Sequence, residues 1–124
     1  MFKSMPILTE LTNKEHFQQL LNVNPGALII KFGADWCGPC KQIESHVHHL
    51  MSQMPDQIQC MIINIDESLE VYAFLKNKKM VNGIPVILCY YKGNVSYIPD
   101  DVVIGANIPQ INMLFKNAVE NISA

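Results

Sequence analysis

Hydrophobic positions along the chain follow two rhythms. Ala27-Leu28-Ile29-Ile30-Lys31-Phe32 is apolar on both parities and broken only by Lys31. That pattern predicts a strand buried on both faces in the middle of a sheet. Ile58 to Ile65 is a second run of this kind. Between them Ile43, Val47, Leu50, Met51 and Met54 recur at helical spacing until Pro55 stops the pattern. Thr12-Asn13-Lys14-Glu15 has capping-box form and predicts a helix through about Leu21, with Phe17, Leu20 and Leu21 inward. Ser68 or Asp66 caps a third helix that runs to about Lys79. The β-rich runs Pro85–Tyr91 and Val95–Ile98 flank Lys92-Gly93-Asn94 and predict an antiparallel hairpin. Asn107 then caps a last helix, with Pro109 in its first turn and an apolar stripe from Ile111 through Leu114, Phe115 and Ala118 to Ile122.

The order read in this way is strand, helix, strand, helix, strand, helix, hairpin, helix, and its leading strand carries no residue assignment. It predicts an α/β fold: a central mixed sheet of four to five strands with helices on both faces. No repeat, low-complexity tract or linker divides the sequence, so residues 1–124 are expected to form one domain.

Composition narrows the function classes. A hydrophobic share of 49% in 124 residues is ample for a packed core without metal support. The net charge is −2, and every basic residue is a lysine with no Lys-rich run, so no nucleic-acid partner is expected. No segment approaches the roughly eighteen consecutive apolar residues of a membrane helix. Met1-Phe2-Lys3-Ser4-Met5-Pro6 lacks the apolar stretch of a secretory signal, and a cytoplasmic location is expected. There a close cysteine pair points to catalysis or metal rather than to a structural bridge.

Trp36-Cys37-Gly38-Pro39-Cys40-Lys41 stands where the buried strand gives way to the amphipathic helix. Two intervening residues let both sulfurs lie on one turn, within reach of a disulfide. Cys37 falls at the helix N-terminus, where unpaired backbone N–H groups and the macrodipole favour a thiolate and draw its pKa below the ordinary thiol range. Pro39 suits a first turn, since it needs no N–H partner there. Cys40, one turn inward, is the expected resolving thiol. A structural zinc needs four ligands, and no second close pair exists: Cys60 and Cys89 lie mid-strand on core elements. Redox chemistry is therefore the reading of the pair.

Trp36–Lys41 resembles the active-site signature of the thioredoxins, and the resemblance extends over essentially the whole chain. It implies the thioredoxin fold and a protein dithiol–disulfide oxidoreductase, with Cys37 as nucleophile, Cys40 as resolving thiol, and Gly38 and Pro39 between them. Gly83-Ile84-Pro85 looks like the family loop whose Ile–Pro bond is cis and faces the dithiol. Ile104-Gly105-Ala106 looks like the glycine turn on the rim of the same groove, and Asn64-Ile65-Asp66 like the strand end beside the active-site Trp. Trp36, Ile84, Pro85 and Gly105 are thereby the expected substrate-binding residues. The resemblance implies protein disulfides as substrates and recharging by an NADPH-dependent thioredoxin reductase. It also implies no bound cofactor beyond the Cys37–Cys40 redox-active disulfide, and a monomer is expected.

The sequence departs from the family at several places. Lys31 stands where most thioredoxins carry a buried Asp, and Ile62 aligns with that acid's basic neighbour, so Lys31 is a candidate active-site residue of unassigned role. Ser45 replaces a kinking Pro, Gly33 replaces a frequent aromatic residue, and Pro99-Asp100-Asp101-Val102 reads as an insertion before the groove rim. These departures keep two other functions open: a non-catalytic interaction module, and an oxidase- or isomerase-leaning variant in which Lys31 stabilises the reduced thiolate. His46, His48 and His49 read as solvated side chains, and Cys60 and Cys89 as small buried hydrophobes.

Overall fold

The computed structural model describes residues 5–123, so the reading of Met1–Ser4 falls outside it. Its elements in chain order are α1 (Lys14–Asn22), β1 (Ala27–Gly33), α2 (Gly38–Ser52), β2 (Ile58–Asn64), α3 (Leu69–Asn77), β3 (Val86–Tyr91), β4 (Asp101–Ile104) and α4 (Ile108–Ser123). The four strands form one sheet in the order β2-β1-β3-β4. β1 is parallel to β2, with Ala27 beside Ile58 and Lys31 beside Ile62. It is antiparallel to β3, with Phe32 beside Val86, and β3 pairs antiparallel with β4. Every residue of β1 is buried, as its doubly apolar pattern requires of a central strand.

Alternation along β1 divides the core into two layers. Ala27 and Ile29 pack with Ile43 and Val47 of α2 and with Ile111, Leu114 and Phe115 of α4. Leu28, Ile30 and Phe32 pack with Phe17 and Leu21 of α1 and with Val71 and Leu75 of α3. Lys31 shares the parity of Ala27 and Ile29, so an ionisable side chain lies in the layer beneath α2.

Several details differ from the sequence reading. The leading strand is no more than a bridge between Leu8 and Met61. The cap of α1 is Asn13 rather than Thr12: its Oδ1 accepts the His16 N–H at 2.8 Å. Val95–Ile98 is not a strand, and β3 pairs instead with Asp101–Ile104. The physical reason is local side-chain bonding that competes with a ladder. Asn94 Oδ1 accepts the Ser96 N–H, Ser96 Oγ accepts the Ile98 N–H, and Asp100 Oδ2 accepts the Tyr91 N–H at 2.8 Å. Tyr97 leaves the sheet to pack edge-on against Phe74 of α3, and its carbonyl accepts the Tyr90 hydroxyl at 2.8 Å. Asp101 and Val102 thus belong to β4. Ser68 occupies the N-cap position of α3 without a side-chain capping bond. Among the described residues no helix is long and apolar enough to cross a membrane.

The turn into β1 is held by Asn24, which is buried. Its Nδ2 donates to the Tyr90 carbonyl at 2.9 Å and its Oδ1 accepts the Gly26 N–H at 3.1 Å. Asn24→Ala leaves a buried carbonyl and a buried N–H without partners, and each such loss costs about 1–3 kcal/mol. Urea unfolding of that variant is expected to show a drop of about 2–4 kcal/mol, with the slope unchanged; a drop below half a kcal/mol contradicts this role.

Candidate active site

β1 ends at Gly33, and its carbonyl accepts the Ile65 N–H at 2.9 Å, which ties it to the end of β2. The chain then turns through Ala34–Trp36, with the Cys37 N–H bonded to the Ala34 carbonyl at 3.2 Å. Cys37 is the N-cap of α2: its backbone is extended and its Sγ accepts the Cys40 N–H at 3.2 Å. The sulfur of Cys37 thus occupies the place of a capping oxygen, where the orphan N–H groups of the first turn favour negative charge. Gly38 and Pro39 fill the first two helical positions, and Cys40 follows with its Cα 5.3 Å from that of Cys37. The two cysteines form a disulfide.

The Ile84–Pro85 bond is cis, and the Ile84 carbonyl oxygen lies 3.9 Å from Cys37 Sγ. Ile84 and Ile65 pack against Ala34, Cys37 and Cys40. Gly105, at φ +84°, donates its N–H to the Pro85 carbonyl at 2.9 Å, a backbone conformation that favours glycine. Trp36 is largely exposed, and its indole N–H donates to Asp66 Oδ2 at 2.9 Å. Trp36, just before Cys37, and Ile104, just before Gly105, are 68% and 73% exposed. Trp36 thus adjoins Cys37 in the chain, Ile84 packs against both cysteines, and Gly105 is tied to Pro85 beside it.

Exposure does not separate the cysteines, which are 5% and 4% exposed in the disulfide form. Their surroundings do. Cys37 faces the groove and Ile84, whereas Cys40 faces a cavity of about 290 Å³ on the other side. Lys31 and Gly33 of β1, Cys40, Lys41 and Glu44 of α2, and Glu67 beyond β2 line it. Lys31 is 5% exposed, and burial pulls its ammonium below the ordinary lysine range, while the Glu44 carboxylate pulls it partly back. Among the described residues no buried side-chain nitrogen or oxygen lacks a partner, so the Lys31 amine meets the cavity. Ile62, directly beside Lys31, supplies no charge. Glu44 was not singled out from the sequence; the available signal is its place one turn after Cys40, on the same helix face.

Residues 8–117 match the family model described as thioredoxin. The chain belongs to the thioredoxin family. Mitochondrial thioredoxin-3 of Saccharomyces cerevisiae is 38% identical over 64 residues, covering 52% of this chain and 49% of that protein. Thioredoxin-T of Drosophila melanogaster is 28% identical over 99 residues, covering 80% of this chain and 58% of that one. The matched part thus spans about half the length of these curated relatives. Among solved structures, the oxidised form of Saccharomyces cerevisiae mitochondrial thioredoxin 3 superposes with a TM-score of 0.70 at 29% identity, covering 89% of this chain and 94% of that one. Malassezia sympodialis thioredoxin superposes at 0.73 with 18% identity over 96% of both chains, which bears on the fold alone. The thioredoxin fold expected from the sequence is the fold observed.

The other candidates lie apart from this site. His46 is half-buried rather than solvated: its Nε2 lies 2.6 Å from Asn112 Oδ1 and joins α2 to α4. His48 and His49 are exposed. Among the described residues no group of three or more potential metal ligands is present. Cys60 and Cys89 are free and buried, each paired across the sheet with Ile29 from opposite sides. Two strand spacings separate their backbones by about 10 Å, too far for a disulfide. Burial pushes Cys60 up to about 12, and burial together with Asp101 and Asp100 raises Cys89 further. Because both folded values lie above the unfolded ones, their contribution is complete below the ordinary thiol pKa of 9.0 and fades as pH rises through the folded values. In the reduced native protein, iodoacetamide at neutral pH is expected to leave Cys60 and Cys89 unmodified until urea unfolds the chain. Replacing both by Ala should flatten the fall in stability above about pH 9, measured as the urea midpoint against pH.

Proposed function

We propose that this protein is a dithiol–disulfide oxidoreductase that reduces disulfides in other proteins. The single observation that carries the reading is the Cys37–Cys40 disulfide at the N-terminus of α2, facing the Ile84 carbonyl across a groove. Family membership supports it.

In this reading the Cys37 thiolate attacks one sulfur of a substrate disulfide, and the other leaves as a thiolate. Cys40 then loses its proton and attacks Cys37, the Cys37–Cys40 bond forms, and the second substrate thiolate departs. Two electrons pass from the dithiol to the substrate. Cys37 is the attacking group because its sulfur sits at the helix N-terminus and borders the groove. Trp36, Ile84, Pro85 and Gly105 hold an extended substrate segment, and the backbone of Ile84 is the edge on which it pairs.

The partners in this reading are protein disulfides and an NADPH-dependent thioredoxin reductase that restores the dithiol, with no cofactor bound to the chain itself. A cytoplasmic, monomeric protein fits it, since the unpaired Cys60 and Cys89 suit a reducing compartment. An oxidase-leaning variant is the second reading, favoured by one feature: the buried Lys31 behind Cys40 stabilises the reduced form if it is charged.

The test is reduction of insulin with dithiothreitol and, separately, with NADPH and a thioredoxin reductase. Cys40→Ser is expected to accumulate mixed disulfides through Cys37, whereas Cys37→Ser accumulates none, and neither turns over. Trapping by Cys37→Ser in preference to Cys40→Ser reverses the assignment, and a wild-type protein that leaves insulin intact defeats the reading.

A further inference from the structure

The resolving step requires Cys40 to give up a proton, and the groove offers no way out for it. Cys40 is 4% exposed, and on the groove side it is covered by Cys37, Ile84 and Ile65. The opposite side is different. A Cβ placed on Gly33 would stand 3.4 Å from Cys40 Sγ and 3.8 Å from Lys31 Cε. The sulfur and the end of the lysine stem therefore converge on the space that Gly33 leaves free. A side chain there would touch both at ordinary van der Waals distance. This space belongs to the cavity of about 290 Å³, several times the roughly 30 Å³ share of a water molecule.

The charged groups around Lys31 come from three elements. Asp35 stands in the turn after β1, Lys41 and Glu44 lie on α2, and Glu67 lies beyond β2. Glu44 differs from the other acids in position. It follows Cys40 by one helical turn, so both point to the same side of α2. It is also the carboxylate whose charge reaches the Lys31 ammonium. No ion pair closes between them: among the described residues the one pair within 4 Å joins Lys116 and Glu120. The carboxylate is thus not held in contact by the ammonium.

We propose that the cavity behind Cys40 is the proton exit of the resolving step, with Glu44 as the acceptor at its mouth and Lys31 as the charge that holds the Cys40 thiolate. The proposal rests on the dithiol chemistry of the preceding section. The Cys40 S–H proton passes through the cavity to the Glu44 carboxylate, the Cys40 thiolate forms beside Lys31, and it attacks Cys37 Sγ as the substrate thiolate leaves. Glu44 then releases the proton to solvent. No other oxidant or reductant enters.

An aromatic disulfide that releases a coloured thiolate separates the steps without needing the protein-binding groove. Reduced protein releases one thiolate when Cys37 attacks and a second when Cys40 resolves, and stopped-flow absorbance resolves the two phases. Glu44→Gln is expected to slow the second phase by about tenfold near pH 6.5, below the usual range for a general base because buffer and hydroxide compete. The gap should close by about pH 9, where hydroxide suffices, and the first phase should stay within twofold of wild type. Lys31→Met should slow the second phase as well, while Glu67→Gln, on the same cavity wall, should leave it within twofold. A Glu44→Gln second phase equal to wild type across this range overturns the proposal, as does equal slowing by Glu67→Gln. A wild type that shows both phases yet leaves insulin intact refutes the substrate assignment and leaves the proton route standing.

Discussion

A strand with neighbours on both edges and helices over both faces has no direction left that leads to water. β1 is such a strand, and the dithiol depends on it. Its seven buried residues fix where the chain must emerge, at Gly33, and the turn that follows sets the first residues of α2 at that end of the sheet. β3 lies along the other edge of β1, so the loop that precedes it arrives at the same end and brings Ile84 to Cys37. β4 beside β3 brings Gly105 to Pro85. The site is assembled by sheet register rather than by contacts of its own. A slip of one residue in β1 would turn the Lys31 parity toward α1 and α3 and take the cavity away from Cys40.

Much of this was legible because burial on both faces leaves a strong trace in sequence. β1, β2, α2 and α4 each carry an apolar period that admits one interpretation, and the Cys-Gly-Pro-Cys turn falls where a strand period becomes a helical one. The hairpin shows the limit of such patterns. Val95-Ser96-Tyr97-Ile98 has strand composition, yet the Asn94 and Ser96 side chains satisfy its backbone, Asp100 accepts from the Asn94 amide, and Tyr97 finds its packing on α3. Propensity cannot weigh these bonds against a ladder, since they depend on residues at both ends of the loop and on a distant helix. Glu44 was hidden for a related reason. Its relation to Lys31 exists only once α2 lies across β1 and Gly33 leaves the space between them.

Lys31 is costly where it stands, because desolvation opposes its charge. Ile62, its neighbour across the parallel ladder, gives nothing back. What makes the position tenable is the combination of a long apolar stem, which packs under α2, and an amine that reaches the cavity. Glu44 adds a favourable charge without desolvating itself, since it remains exposed on the helix. The amine lies inside and the carboxylate at the edge, so a protonated Lys31 would place in the buried layer the charge that an anionic sulfur selects.

The two sulfurs are therefore served by different electrostatics. Cys37 draws on the N-terminus of α2 through the Cys40 N–H, a backbone field present whatever the side chains nearby. Cys40 has already used its own N–H on Cys37 and has no helix terminus directed at it, so its thiolate needs a side-chain charge. A protonated Lys31, whose stem converges with the sulfur on the space beside Gly33, would supply that charge, less strongly where solvent in the cavity screens it. In the proposed route, backbone geometry accounts for attack by Cys37, whereas resolution by Cys40 draws on a side chain, Lys31, whose stem converges with the sulfur on the space beside Gly33.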